Sequence, residues 1–161
     1  METLAMPFVP TVVTPHQSDY LELTKVWESS VRATHKFLPD AYIRELRTLV
    51  LERYLDAVML LCVRDPQQRI MGFAGVAGGK VEMLFVAPRH RGQGVGKQLL
   101  RYAIEHLNAD RLDVNEQNTQ AVGFYFKQGF EVIGRCAHDG MGQPFPLLQL
   151  RLSAERRAER A

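Results

Sequence analysis

The period of apolar residues changes several times along the chain, and each change marks an element. Leu23, Trp27 and Val31 recur at helical spacing and predict a helix from 14 or 18 to about 33. Thr14, Pro15 and Gln17 stand at capping-box positions for its start. Pro39 breaks the chain, and Asp40 is expected to cap a second helix to about 55, carrying Ile43, Leu46, Val50 and Tyr54. The run 57–63 reads as a strand. Asp65-Pro66-Gln67-Gln68 is turn chemistry, and 70–77 is its hairpin partner. Gly78-Gly79 turns into a strand at 80–86. Val95, Leu99 and Ala103 form one helical line, and Leu100, Ile104 and Leu107 the next. A short strand at 112–114, a helix at about 118–127, and an antiparallel pair at 131–135 and 145–152 follow. Near the N-terminus, 8–13 reads as an edge strand because Pro10 lacks a donor, and 1–7 as an irregular leader. The order β-α-α-β-β-β-α-β-α-β-β predicts a mixed α/β domain over 8–153, with 154–161 as a charged tail, helical or frayed.

Composition narrows the class. The 161 residues are 46% hydrophobic, which is enough for one ordinary core. A formal net charge of only +2 gives no general footprint for nucleic acid. No apolar stretch approaches the ~20 residues of a membrane span, and no signal-peptide pattern opens the chain, so a cytoplasmic protein without membrane partners is expected. Cys62 and Cys136 have no metal spacing and make no disulfide framework; Cys62 lies in an apolar run and reads as core.

The candidate chemistry is concentrated at 81–100. An apolar run ends at Pro88, and three cations (Arg89, Arg91, Lys97) and three glycines (Gly92, Gly94, Gly96) then open a helix. Glycines let backbone N–H groups converge and a ligand approach closely, and a helix start adds unpaired N–H groups and positive dipole. The pattern fits a pyrophosphate. It is not a nucleoside-triphosphate loop: Arg91 stands where the first glycine belongs, and Gln98 where the magnesium-binding hydroxyl belongs. It is not the dinucleotide fingerprint either, because Gly92-x-Gly94-x-Gly96 is one spacer short.

Arg91-x-x-Gly94-x-Gly96 at a strand-to-helix junction resembles the cofactor loop of the GNAT superfamily of N-acetyltransferases, whose signature is Arg or Gln, two residues, Gly, one residue, Gly or Ala. A second segment is similar to the next motif of that superfamily, with Asn118, Ala121, Tyr125, Gly129 and Phe130 in register. Three more segments, at 27–38, 115–118 and 139–148, resemble its YjaB-like bacterial group. The resemblance covers about 57–152. It implies a central twisted mixed sheet of six or seven strands flanked by about four helices, acetyl-CoA as cofactor, and direct acetyl transfer to an amine of a small-molecule or peptide acceptor. The alternative is a non-catalytic domain on the same fold that senses CoA or another ligand. An apolar edge could equally serve the core or a homodimer.

The resemblance also distributes roles. Arg91, Gly92, Gln93, Gly94, Val95, Gly96 and Lys97 are expected at the pyrophosphate. Backbone of Leu84, Phe85 and Val86 would pair with pantetheine, and Asn115 and Asn118 would complete the cofactor side. Periodicity alone favours reading Tyr125 as a core aromatic beside Val122 and Phe124, and the resemblance reverses this and makes it the candidate acid for the departing thiolate. Glu82 is the candidate base, expected to be partly desolvated in its apolar strand, or else an outward charge paired with Arg111 or Arg135. His35 is the alternative base. Asp139 is expected to contact the acceptor or to make an ordinary Asx turn.

Overall fold

The computed structural model describes residues 10–159. The leader at 1–7, the first two residues of the expected edge strand and the last two of the tail lie outside that range. One seven-stranded sheet runs through the molecule in the order β1-β2-β3-β4-β5-β7-β6. In chain order the elements are β1 (Val12–Val13), α1 (Tyr20–Thr34), α2 (Asp40–Leu49), β2 (Met59–Arg64), β3 (Ile70–Ala77), β4 (Lys80–Val86), α3 (Val95–His106), β5 (Arg111–Asn115), α4 (Thr119–Lys127), β6 (Phe130–Cys136), β7 (Leu147–Leu152) and α5 (Ala154–Glu159). The short α5 occupies the charged tail. No helix among the described residues is long and apolar enough to cross a membrane.

Two apolar clusters cover the two faces. Leu23, Trp27, Val31, Ile43, Phe73 and Met83 pack under α1 and α2. Val81, Leu99, Leu100, Ala103, Tyr125 and Leu150 pack under α3 and α4. α3 lies so close to β3 that a Cβ on Gly72 would stand 3.0 Å from Val95 Cγ1 and 2.9 Å from the Phe85 carbonyl oxygen. Cys62 is fully buried, as expected of a core residue.

Two helix expectations need correction. The first cap is not at Thr14: the His16 N–H donates to Asp19 Oδ2 at 2.8 Å, and a 3-10 turn at Gln17–Asp19 leads into α1. The second helix does not reach 55 as α-helix. α2 ends at Leu49, and its last turns widen into a π turn at Val50–Tyr54. A π turn takes an extra residue and rotates the face it presents. Leu55, fully buried, therefore takes the core place expected for Tyr54, which is exposed.

Two irregularities of β4 shape the molecule. Met83 lies opposite Gly75 and Val81 opposite Val76, so Glu82 is the extra residue of a bulge. Alternation would otherwise put Val81 and Met83 on one face; with the bulge they enter opposite clusters. β4 also pairs in parallel with β5 over only two rungs, Lys80–Arg111 and Val81–Leu112. Beyond them the strands fork, while β5 stays paired to β7 along its whole length.

Candidate active site

The fork opens onto a cleft of about 350 Å³ walled by Leu84, Phe85 and Val86, the glycine loop and α4. Gly92 and Gly94 have φ of 76° and 81°, the left-handed region that glycine adopts without strain. A Cβ on either would meet no atom within 4 Å, so these glycines set the backbone path and keep the mouth open rather than relieve packing. Gly94 is the N-cap of α3, whose first backbone bond runs from Gln98 N–H to the Gly94 carbonyl. The N–H groups of Val95, Gly96 and Lys97 therefore have no intrahelical acceptor. Arg91 Nη2 reaches across to Gln120 Oε1 on α4 at 2.6 Å, joining the two helix starts at the cleft.

Asn118 caps α4 by accepting from the Ala121 N–H at 3.3 Å, and one helical turn on, Tyr125 enters the same cleft. Its ring meets Phe124 and Phe130 edge-on at 5.2 and 5.9 Å. The ring belongs to the apolar core, and the cleft exposes part of it. Burial pushes its phenol pKa well above the ordinary tyrosine value, so the proton is firmly held at neutral pH.

His35 ends α1 and lines this first cleft. Thr34 Oγ1 donates to the Ser30 carbonyl at 2.8 Å and stands 2.7 Å from His35 Nδ1. The hydroxyl proton is thereby used, so Nδ1 must carry the imidazole proton and Nε2 remains the acceptor. Burial lowers the His35 pKa to about 4, against an ordinary 6.5. Between those values the unfolded chain binds more protons, so stability rises with pH through the window and falls as pH drops. The wild type should lose about 2.5 kcal/mol from this group between pH ~7 and ~4.5. His35→Gln should lose that much less over the same interval, as read by urea midpoints at the two pH values.

A second cleft of about 510 Å³ lies between α2, the π turn, β5 and the β6–β7 loop. Glu82 lines it and is exposed rather than desolvated. Its partner is neither arginine expected from the sequence. Lys80 Nζ stands 4.0 Å from Glu82 Oε1 and donates to Asp113 Oδ2 at 2.8 Å. Arg135 instead pairs with Glu116 through two nitrogens at 2.8 and 3.0 Å, and Arg111 turns to the Gly78 carbonyl and Asp110.

Asp139 makes the Asx turn, accepting from the Met141 and Gln143 N–H groups at 3.0 and 2.9 Å through Oδ1. It also lines the second cleft, and its Oδ2 accepts from Tyr42 Oη at 2.5 Å. Burial first, and then this carboxylate, push the Tyr42 phenol far above its ordinary pKa. Tyr42 stacks on Phe145 at 5.6 Å, and Phe145 meets Phe37 at 5.9 Å, so the β6–β7 loop docks onto the helical layer.

The first cleft thus gathers Leu84, Phe85, Val86, Arg91, Gly92, Gly94, Val95, Gly96, Lys97, Asn118, Tyr125 and His35. Gln93 stands outside its wall, exposed, with Nε2 directed to the Arg89 carbonyl at 3.4 Å. Asn115 faces the second cleft with Glu82. Sequence reasoning missed Tyr42, Lys80 and Asp113. Asp113 had a signal: it alternates with apolar Leu112 and Val114 on a strand, so it faces away from their core.

Comparison with known proteins gives a consistent result. The family model of the acetyltransferase (GNAT) domain matches residues 31–141. The peptidyl-lysine N-acetyltransferase YjaB of Salmonella typhimurium is 45% identical over 129 residues, which cover 80% of this chain and 88% of that protein. The solution structure of apo YjaB from Escherichia coli superposes with a TM-score of 0.82 at 38% identity, over 90% of this chain and 98% of that one. The PaiA N-acetyltransferase of Thermoplasma acidophilum, solved in complex with coenzyme A, shares the fold with a TM-score of 0.71 at 21% identity, over 91% of this chain and all of that one. A matched domain spanning most of the chain, and close relatives aligned nearly end to end, show that this forked-sheet protein belongs to the GNAT family of acetyltransferases.

Proposed function

We propose that the protein transfers the acetyl group of acetyl-CoA to the side-chain amine of a lysine in a peptide or protein. One observation carries this reading: the fork separates a cleft entered past glycines and cations from a cleft lined by Glu82, Asp113 and Asp139, and neighbouring β4 residues, Met83 and Leu84, wall the two. An anionic cofactor suits the first. An ammonium on a flexible aliphatic stem suits the second, whose walls include Leu38, Leu46 and Leu147 beside the carboxylates. The names of the YjaB relatives support the acceptor, and the coenzyme A complex of the PaiA structure supports the cofactor.

In this reading the loop N–H groups and Arg91 hold the pyrophosphate, and the unpaired β5-facing edge of 84–86 holds pantetheine. Acetyl-CoA supplies an activated acyl group. A lysine ammonium of pKa about 10.4 costs about 4–5 kcal/mol to neutralise at pH 7. Glu82 accepts that proton, directly or through water. The freed amine attacks the thioester carbonyl, the carbon–sulfur bond breaks, and Tyr125 donates its proton to the departing thiolate. An acyl-enzyme is not used: Cys62 is buried and its thiol pushed up to about 11 by desolvation, and Cys136 lies on the outer strand β6. His35, on the cofactor side and weakly basic, ranks below Glu82 as the base.

The acceptor is tested with a panel of lysine peptides, protein N-termini and small amines, reading released CoA and locating the acetyl group by mass spectrometry. Nε-acetyl-lysine is the expected product; turnover confined to small amines overturns the acceptor reading. For the base, Glu82→Gln should flatten the acid limb of the kcat profile and leave acetyl-CoA affinity intact. Turnover at pH ~7 should fall by about tenfold, below the ~10²–10⁴ of fully positioned groups, because water in an open cleft partly replaces the carboxylate. A limb that overlays wild type makes Glu82 a structural charge and promotes His35.

A further inference from the structure

The acceptor cleft contains a lysine of its own. Lys80 sits at the apex of the fork, where its backbone forms the first of the two β4–β5 rungs. Its side chain reaches past the last rung to Asp113 Oδ2, and its ammonium also stands 4.0 Å from Glu82 Oε1. The bulge is what makes the second contact available, since Glu82 is the residue it inserts. One cation therefore bridges carboxylates on two strands that diverge at that point.

We propose that Lys80 is a positioning residue that tempers the negative charge of the acceptor cleft, and so sets both how readily Glu82 serves as base and the charge preference for acceptors. This rests on the reading of Glu82 as base and of the second cleft as the acceptor site. The cleft is faced by Asp113 from β5, by Asp139 and its donor Tyr42 across the helical wall, and by Tyr54 from the π turn. Arg111, the other nearby cation, is directed to the Gly78 carbonyl and Asp110. Carboxylates that share a site hinder one another's ionisation, and a cation between them offsets this. Three carboxylates (Glu82, Asp113, Asp139) against one ammonium leave a surplus of two negative charges, enough to draw in a protonated amine. Without Lys80 the surplus would be three, Asp113 would lose its partner, and Glu82 would face the other carboxylates with no cation beside it. Lys80 is not itself the nucleophile. Burial is the largest single influence and works against its charge, but the Asp113 hydrogen bond and the charges of Asp113 and Glu82 together outweigh it, so the net effect raises its pKa and keeps the ammonium protonated.

The test compares Lys80→Met and Lys80→Arg with wild type, using a lysine peptide and an arylamine that is uncharged at neutral pH. In Lys80→Met the acid limb of kcat/KM should move up by about half to one pH unit. KM for the lysine peptide should fall about two- to fivefold at low salt and return toward wild type at high salt, while KM for the arylamine stays put. Lys80→Arg, which keeps the cation, should bring the limb back. An unmoved limb and unmoved KM values in a Lys80→Met enzyme with a normal melting curve overturn the proposal. If Glu82→Gln flattens the limb while Lys80→Met changes nothing, only the role of Lys80 fails. If Glu82→Gln leaves the limb in place while Lys80→Met still sharpens the preference for the cationic acceptor, the base assignment fails and the charge filter stands.

Discussion

Tyr125→Phe should lower kcat by about 10²–10⁴ and change acetyl-CoA affinity far less. The substitution keeps the ring, so the edge-on contacts with Phe124 and Phe130 survive. No described group hydrogen-bonds the Tyr125 hydroxyl, which makes the folding cost of its removal small. The loss should appear where charge develops, on the sulfur leaving the acyl carbon. The raised phenol pKa looks unfavourable for an acid, but a thiolate forming beside it would share the burial that raises the phenol, so its own proton affinity rises too. The pair stays matched. A kinetic assay beside a melting curve decides: near-normal turnover refutes the acid role, and a large fall in melting temperature shows Tyr125 to be a packing residue.

The second large effect is expected at the glycine loop. Charge-assisted hydrogen bonds contribute about 1.5–3 kcal/mol each, so Arg91→Ala should weaken acetyl-CoA about ten- to hundredfold. Part of that loss comes through Gln120, which loses the group that ties α4 to the loop. Gly94→Val should cost more than Arg91→Ala, on two grounds. Valine strongly resists a φ of 81°, so the loop must refold locally. A branched side chain would also stand in the open space that the proposed function assigns to the phosphates, since a Cβ at Gly94 meets no protein atom within 4 Å. That openness predicts a particular signature: a folded protein, destabilised by backbone strain at residue 94 but not by a packing clash, that has lost its cofactor. Calorimetry showing unchanged affinity in both folded variants rejects the pyrophosphate assignment.

Much of this architecture is legible in the sequence because it is locally encoded. β3 and β4 are bounded by turn residues and filled with apolar ones, and their ends fall at 70–77 and 80–86 as their pattern predicts. The loop is legible because a left-handed backbone before a helix calls for glycine, and the chain supplies it at Gly92 and Gly94. The acid role proposed for Tyr125 rests on the resemblance, since its periodicity favours a core aromatic, and the ring does join the core.

What stays hidden depends on partners distant along the chain. The bulge at Glu82 is a matter of register against β3. The π turn that exchanges Tyr54 for Leu55 adds a residue that no 3.6-residue pattern contains. The Lys80–Asp113 contact joins residues 33 apart across the fork. A desolvated Glu82 was a fair expectation for a carboxylate inside an apolar strand; the bulge turns it into the cleft instead.

The two-rung junction has a mechanical meaning. Strands β1–β4 and strands β5–β7 form two plates that share one short seam at Lys80–Val81 and Arg111–Leu112. One apolar cluster braces that seam, with Val63, Val76 and Val81 from the first plate packed with Leu112, Val114 and Leu150 from the second. The β6–β7 loop then serves as a strap, fastened to the helical plate by Tyr42, Tyr54 and Phe145 and to the other by the bond from the Glu116 N–H to the Pro146 carbonyl. Held by core and strap, the seam fixes the spacing of the two clefts, which part between Met83 and Leu84.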